Sequence, residues 1–247
     1  MPSDRGRSGG QAFSKTLAQG SSKILATAPQ RALILDFGGV ITRTMFETHD
    51  LTERALGLPP GTLTWQGPLH PESDGLWQAM QRGEITERAY WRERTREVGA
   101  LLGETWTEIS QFVRAARGAD PAAIIRPEFH ACLADARHGR VKLAILSNEL
   151  DLFYGRGFRE KLPFLKSFDV IVDGTHTGIL KPDPRAYAQV LDALNLPPHA
   201  CVFVDDQPRN ITGAADAGLQ TILFDVARPG ASFAHALDLL IPERTTP

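Results

Sequence analysis

The chain has 247 residues, a formal net charge of -2, and 42% hydrophobic against 23% charged residues. That balance suits an ordinary globule with a sizeable core. It supplies no basic field for nucleic acid or for an anionic membrane surface. No apolar run approaches the roughly 18 residues that a membrane-spanning helix needs. The two cysteines, Cys132 and Cys201, build no disulfide framework. Both stand among apolar neighbours and read as small buried hydrophobes in a reducing, cytoplasmic setting.

Residues 1–30 are rich in Gly, Ser, Ala and Gln, with Arg5, Arg7, Lys15 and Lys23 against the single acid Asp4. No secretory h-region is visible. The segment reads as a disordered N-terminal extension, although a Ser/Arg-rich, acid-poor start also fits an organelle transit peptide. The first regular element is expected at residues 32–35. This short apolar run has the character of a fully buried parallel strand, and it ends on Asp36-Phe37-Gly38-Gly39. Ligands bind at the carboxyl ends of strands in open α/β sheets, so a carboxylate followed by two glycines marks a candidate site.

Residues 42–121 read as helical. A segment over 46–56 stops at Gly57 and another over 76–81 stops at Gly83. Thr86 is a good N-cap for a helix carrying Tyr90, Trp91, Val98, Leu101 and Leu102. A further helix is expected over 104–116, with Ile109, Phe112 and Val113 on one stripe. All four tryptophans, Trp65, Trp77, Trp91 and Trp106, fall in this stretch, which points to a separately packed helical unit inserted after the first strand. From residue 127 the pattern alternates. Helices are expected from 127 and 184, through Ile211 and Ala215, and near the C-terminus with Phe233, Leu237 and Leu240. Strands are expected over 141–146, 169–172, 201–204 and 221–224. Alternation of this kind implies an α/β fold with a doubly wound parallel sheet. The expected organisation is therefore a core domain of residues 31–43 and 122–247, with an all-helical cap domain of residues 44–121.

Besides Asp36, three segments carry polar groups that could reach one point. Ser147-Asn148 ends the 141–146 strand, and a plain turn is the simplest alternative there. Lys181-Pro182-Asp183-Pro184 precedes a helix, with prolines that stiffen the approach. Asp205-Asp206 ends a buried strand, where adjacent carboxylates repel each other and a hard cation is the usual remedy.

Taken together, the four segments resemble the haloacid dehalogenase superfamily of hydrolases. Asp36-Phe-Gly-Gly-Val is similar to its first motif, Leu146-Ser147-Asn148 to its second, Lys181-Pro-Asp-Pro to its third, and Val204-Asp205-Asp206-Gln-Pro-Arg-Asn210 to its fourth, in the family's order. The helical block resembles the family's small inserted cap. Gly83-Glu84-Ile85-Thr86 is similar to a cap turn of the subgroup containing bacterial sugar-1-phosphate phosphatases. The resemblance implies that Asp36 is a nucleophile that forms an aspartyl-phosphate. Ser147 and the Asn148 backbone would bind phosphoryl oxygens, and Lys181 would stabilise them. Mg²⁺ would be held by Asp36, the carbonyl of Gly38 and Asp205, with Asp206 assisting through water. The implied partner is a small phosphorylated metabolite.

One position departs from the majority pattern. Most family phosphatases carry a second Asp, the general acid and base, two residues after the nucleophile, where this chain has Gly38. Loss of such a group typically costs about 10² to 10⁴ in rate. The substrate is therefore expected to have a good leaving group, or else a cap residue supplies the proton, with Glu47, His49 and Asp50 as candidates. Two other functions compete. Carbon–halogen hydrolysis on the same fold needs no metal, and Asp205-Asp206 would then raise the Asp36 pKa and spoil the nucleophile. A non-catalytic binding or regulatory protein would have no use for a nucleophile, a lysine and a metal carboxylate together.

Overall fold

Strand β1 (Ala32–Leu35) is inaccessible on both faces because it lies at the middle of the sheet. The computed structural model describes residues 30–117, 121–155 and 157–241. The expectations for residues 1–29 lie outside them. Five parallel strands run in the order β3-β2-β1-β4-β5, with β2 (Lys142–Ser147), β3 (Val170–Asp173), β4 (Cys201–Asp205) and β5 (Gln220–Leu223). Leu35 pairs with Ile145 on one side and Val204 on the other. The residues that follow all three strands therefore emerge side by side at the carboxyl edge. The strand order reverses at β1, which makes this edge a topological switch point.

Alternate β1 residues feed two cores. Leu33 and Leu35 pack with helices α5 (Pro127–His138) and α10 (Pro229–Leu240) through Phe129, Leu133, Phe233 and Leu237. Ala32 and Ile34 pack with α8 (Pro184–Leu194) and α9 (Pro208–Asp216) through Tyr187, Val190, Leu194 and Ala214. This is the doubly wound α/β arrangement expected from the alternation. Cys132 and Cys201 are both free and buried, one in each core. No helix among the described residues is long and apolar enough to cross a membrane.

A third core belongs to the helical insert, made of α1 (His49–Leu56), α2 (Gly75–Gln81), α3 (Glu87–Leu101) and α4 (Ile109–Arg117). Phe46 is its hub, with ring centroids 5.4–5.6 Å from those of Trp65, Trp77 and Trp91. Gly67 lies so close to the Phe46 ring that any side chain there would overlap it. A buried polar cluster orders the helices. Asp74 caps α2 at the Trp77 amide (2.8 Å) and accepts from Arg94 (2.6 Å) and Tyr90 (2.7 Å).

The insert is less helical than its sequence suggests. Residues 57–74 hold only short 3₁₀ turns at Gly67–Leu69 and Pro71–Ser73. The helix expected from residue 104 starts at Ile109, because the Gln111 side chain accepts the amides of Thr107 and Glu108, at 2.9 Å each, and caps it there. The two chain segments that join insert to sheet run antiparallel. Thr42 bridges Ile125, the Arg43 amide donates to the Ile124 carbonyl at 2.8 Å, and the Arg126 amide donates to Ile41 at 3.0 Å.

Candidate active site

Asp36 leaves β1 with its amide still bonded to the Val204 carbonyl, at 2.9 Å. Phe37–Ile41 then forms a wide turn, closed by the Thr42 amide on the Phe37 carbonyl at 3.0 Å. Gly39 adopts φ +84° inside this turn, and an added side chain would collide with the Asp206 carboxylate. Gly39→Ala is therefore expected to destabilise the fold by about 1–3 kcal/mol through left-handed strain and steric overlap, read as a lower denaturation midpoint. Gly38 is different, since its conformation is ordinary for any residue (φ -74°, ψ 125°) and the space beside it is open.

Lys181 holds the site together. Its Nζ donates to Asp36 Oδ1 and to Asp205 Oδ2, each at 2.7 Å, and its side chain is 1% exposed. Burial alone would drive the ammonium toward neutrality, but the Asp205 and Asp36 carboxylates outweigh it and hold the lysine charged. Asn148 positions this lysine from the neighbouring strand end. Its Oδ1 accepts the Lys181 amide at 2.6 Å and its Nδ2 donates to the Lys181 carbonyl at 3.3 Å. Ser147 is buried at the tip of β2 and lines the same pocket. The loop after β2 is tied down by Asp173 at the end of β3, which accepts the amides of Leu150 (3.1 Å) and Asp151 (3.0 Å). Only the pairing of β2 with β3 shows this role for Asp173, and no motif in the chain announces it.

The two strand-end carboxylates of β4 are not equivalent. Asp205 is inaccessible, and both its oxygens are engaged. Oδ1 accepts from the Gln207 amide (2.8 Å) and Asn210 (3.1 Å), and Oδ2 from Lys181 and Asn210 (3.0 Å). Asp206 has no hydrogen bond or ion pair among the described residues and lines the pocket. The carboxylate oxygens of Asp36, Asp205 and Asp206 all lie within 4.8 Å of one another. Burial, with the Asp205 charge opposing the Lys181 attraction, pushes Asp36 up to about 7. Burial and the repulsion of Asp205 and Asp36 raise Asp206 well above the usual carboxylate range.

The helical insert forms the other wall of this pocket of about 110 Å³, with Phe46, Trp77, Trp91, Glu87 and Arg117. Three polar contacts join insert to core across it. Gln81 donates to Gln207 (3.0 Å), Arg209 donates to Glu87 (3.0 Å), and Arg88 donates to Glu149 (2.6 Å). Glu87 was not among the acids singled out from the sequence. Its one sequence signal is its place directly after the N-cap Thr86. Burial raises its pKa, against the pull of Arg209 and Lys181. The three acid–base candidates named from the sequence do not line the pocket. Glu47 is consumed by Arg126 (2.6 and 2.7 Å) and by the Thr44 amide and hydroxyl. His49 packs its ring on Trp65 at 4.4 Å. Asp50 is exposed and pairs with Arg54 at 2.9 Å.

Residues 30–218 match the family of haloacid dehalogenase-like hydrolases. The chain is 29% identical over 196 residues to acyl-CoA dehydrogenase family member 10 of Mus musculus, covering 79% of this chain but only 18% of that protein. It is 26% identical over 206 residues to a phosphorylated carbohydrates phosphatase of Thermotoga maritima, covering 77% of this chain and 83% of that protein. Among solved structures it is similar in fold to L-2-haloacid dehalogenase from Xanthobacter autotrophicus, with a TM-score of 0.53 at 23% identity over 78% of this chain and 76% of that one. With the match spanning four of the five strands, the insert and the segments that carry Asp36, Ser147, Lys181 and Asp205-Asp206, the chain belongs to the haloacid dehalogenase-like hydrolases.

Proposed function

We propose that the protein is a Mg²⁺-dependent phosphatase of a small phosphorylated metabolite, working through an aspartyl-phosphate on Asp36. The observation that carries this reading is the clustering of Asp36, Asp205 and Asp206 around one point, with one lysine shared between two of them. Three carboxylates and an arriving phosphate dianion leave more negative charge than Lys181 offsets. The unpaired Asp206, the raised Asp36 and the all-oxygen donor set fit a hard divalent cation. Asp36, Asp206 and the Gly38 carbonyl would hold it. Asp205, whose oxygens are already engaged, would position Lys181, which reverses the order of the two carboxylates expected from the resemblance. When bound, Mg²⁺ would neutralise charge on the phosphoryl oxygens and keep Asp36 ionised.

On this reading Asp36 Oδ attacks phosphorus, and Ser147 Oγ with the Asn148 backbone binds the equatorial oxygens. Lys181 stabilises the charge that develops on them. Water then cleaves the acyl-phosphate. The insert acts as a cap over residues 44–121, excluding water behind Phe46, Trp77 and Trp91. The Thermotoga relative's name adds support for a phosphorylated substrate, and a phosphorylated sugar is the first class to examine.

The competing reading, carbon–halogen hydrolysis, has a structural relative of its own. It would leave Asp206 buried beside Asp36 with no cation to offset it. Incubation with p-nitrophenyl phosphate and, separately, 2-chloropropionate separates the two. Phosphate release with Mg²⁺ and no chloride release is expected. Chloride release without phosphate release would replace this reading by the other.

A further inference from the structure

We propose that Glu87, on the helical insert, is the group that protonates the leaving oxygen, in the role that Gly38 cannot fill. The inference rests on the phosphatase reading and adds a catalytic residue to it. The argument is geometric. In an in-line displacement the leaving oxygen lies on the side of phosphorus opposite the nucleophile. Asp36 projects from the sheet edge, so the leaving group faces the insert. Of the insert residues that wall the pocket, Glu87 is the one carboxylic acid among the described residues. Its Oε2 accepts from Arg209 of the core helix α9 at 3.0 Å, which holds the side chain at the seam between insert and core, and Oε1 accepts no hydrogen bond among the described residues. The remaining acids of the pocket are otherwise engaged. Asp36 is the nucleophile, Asp206 faces the metal position, and Glu149 is bound by Arg88. Tyr154, the other lining group with a proton to give, lies on the core side, and burial makes it a weaker acid.

Burial also raises the Glu87 pKa above its ordinary value, which favours the protonated form that the role needs. Its side chain is 31% exposed at the seam between insert and core, Arg209 and Lys181 pull against the effect of burial, and the Asp205 and Glu149 charges add to it. The step balances as follows. The bond from Asp36 Oδ to phosphorus forms as the phosphorus–oxygen bond to the leaving group breaks, and the Glu87 proton passes to that oxygen. The Glu87 carboxylate then takes a proton from the water that attacks phosphorus, the bond to Asp36 breaks, and both side chains return to their starting states.

This assignment revises the expectation of a substrate with a good leaving group, because an acid in place makes poor leaving groups tolerable. The test compares two esters in the full-length protein with Mg²⁺. These are p-nitrophenyl phosphate, whose leaving group needs no proton, and ethyl phosphate, whose leaving group does. For Glu87→Gln, kcat/KM for ethyl phosphate should fall by about 10²-fold or more. The kcat/KM for p-nitrophenyl phosphate, which does not include the later dephosphorylation step, should fall less than about threefold, and that retained value itself reports an intact fold. Equal losses on both esters in Glu87→Gln, or no loss on either, would overturn the assignment of Glu87 and leave the phosphatase reading standing. A wild-type protein inactive on every phosphate ester would remove both.

Discussion

Asp36→Asn is expected to lower turnover by about 10⁴-fold or more, because the amide cannot form the covalent intermediate through which the proposed reaction runs. The same substitution should not weaken the metal-free fold. Asp36 is pushed up from 3.8 to about 7 in the folded protein, first by burial and then by Asp205 against the pull of Lys181. The folded state thus prefers the protonated acid, and the wild-type protein loses stability as pH rises from about 4 through 7. Asn is neutral throughout and keeps the volume, and Lys181 retains Asp205 at 2.7 Å. Thermal melts in chelator should therefore give Asp36→Asn a Tm equal to or above the wild-type value at pH 8, with the difference closing near pH 4. Undiminished phosphate release by the variant would remove Asp36 from the chemistry. A much lower Tm at pH 8 would show that its charge is a structural asset.

Chelation is expected to be as severe. Dialysis against EDTA should reduce phosphate release to below about 1% of the starting rate, and Mg²⁺ should restore it, since the cation is asked to offset several like charges at one point. A readout independent of activity comes from linkage. A ligand bound only by the folded state at a hundred times its Kd stabilises it by about 2.7 kcal/mol, so Mg²⁺ should raise the Tm. The gain should be larger at pH 8 than at pH 5, where Asp36 holds a proton that competes with the cation. Asp206→Asn should lose most of that gain. Asp205→Asn should instead destabilise the protein, because Lys181 and Asn210 both depend on its oxygens. Full turnover in EDTA would sink the metal-dependent reading and restore carbon–halogen hydrolysis as the leading one.

Much of this site was legible without coordinates, for a simple reason. A parallel strand buried on both faces reads as an apolar run, and in this fold its carboxyl end is where ligands bind. Asp36, Ser147 and Asp205-Asp206 follow such runs directly, so the sequence locates them at the sheet edge. The tryptophans betray the insert because one small helical core gathers them. Strand and helix limits came within a residue or two for most elements. They failed at residues 57–74, where Gly67 must pass the Phe46 ring, and at residues 104–108, where a side-chain cap from Gln111 decides the start of α4.

What the chain order could not express is which side chains meet across elements. Asp205 and Asp206 are neighbours in sequence at one strand end, yet one is consumed by Lys181 and Asn210 while the other lines the pocket with no hydrogen bond among the described residues. Glu47, His49 and Asp50 stand near Asp36 in sequence, yet Arg126 takes the first, Trp65 packs on the second and Arg54 pairs with the third, so none lines the pocket. Glu87 is distant from Asp36 in sequence and shares its cavity, because α3 lays its first turn on the loop after β2 and on the start of α9. Local periodicity and strand-end chemistry thus set the sheet, the switch point and the carboxylate cluster. The docking of the helical insert, a matter of long-range packing and polar contacts such as Arg209 with Glu87, alone determined which acid of the insert lines the pocket.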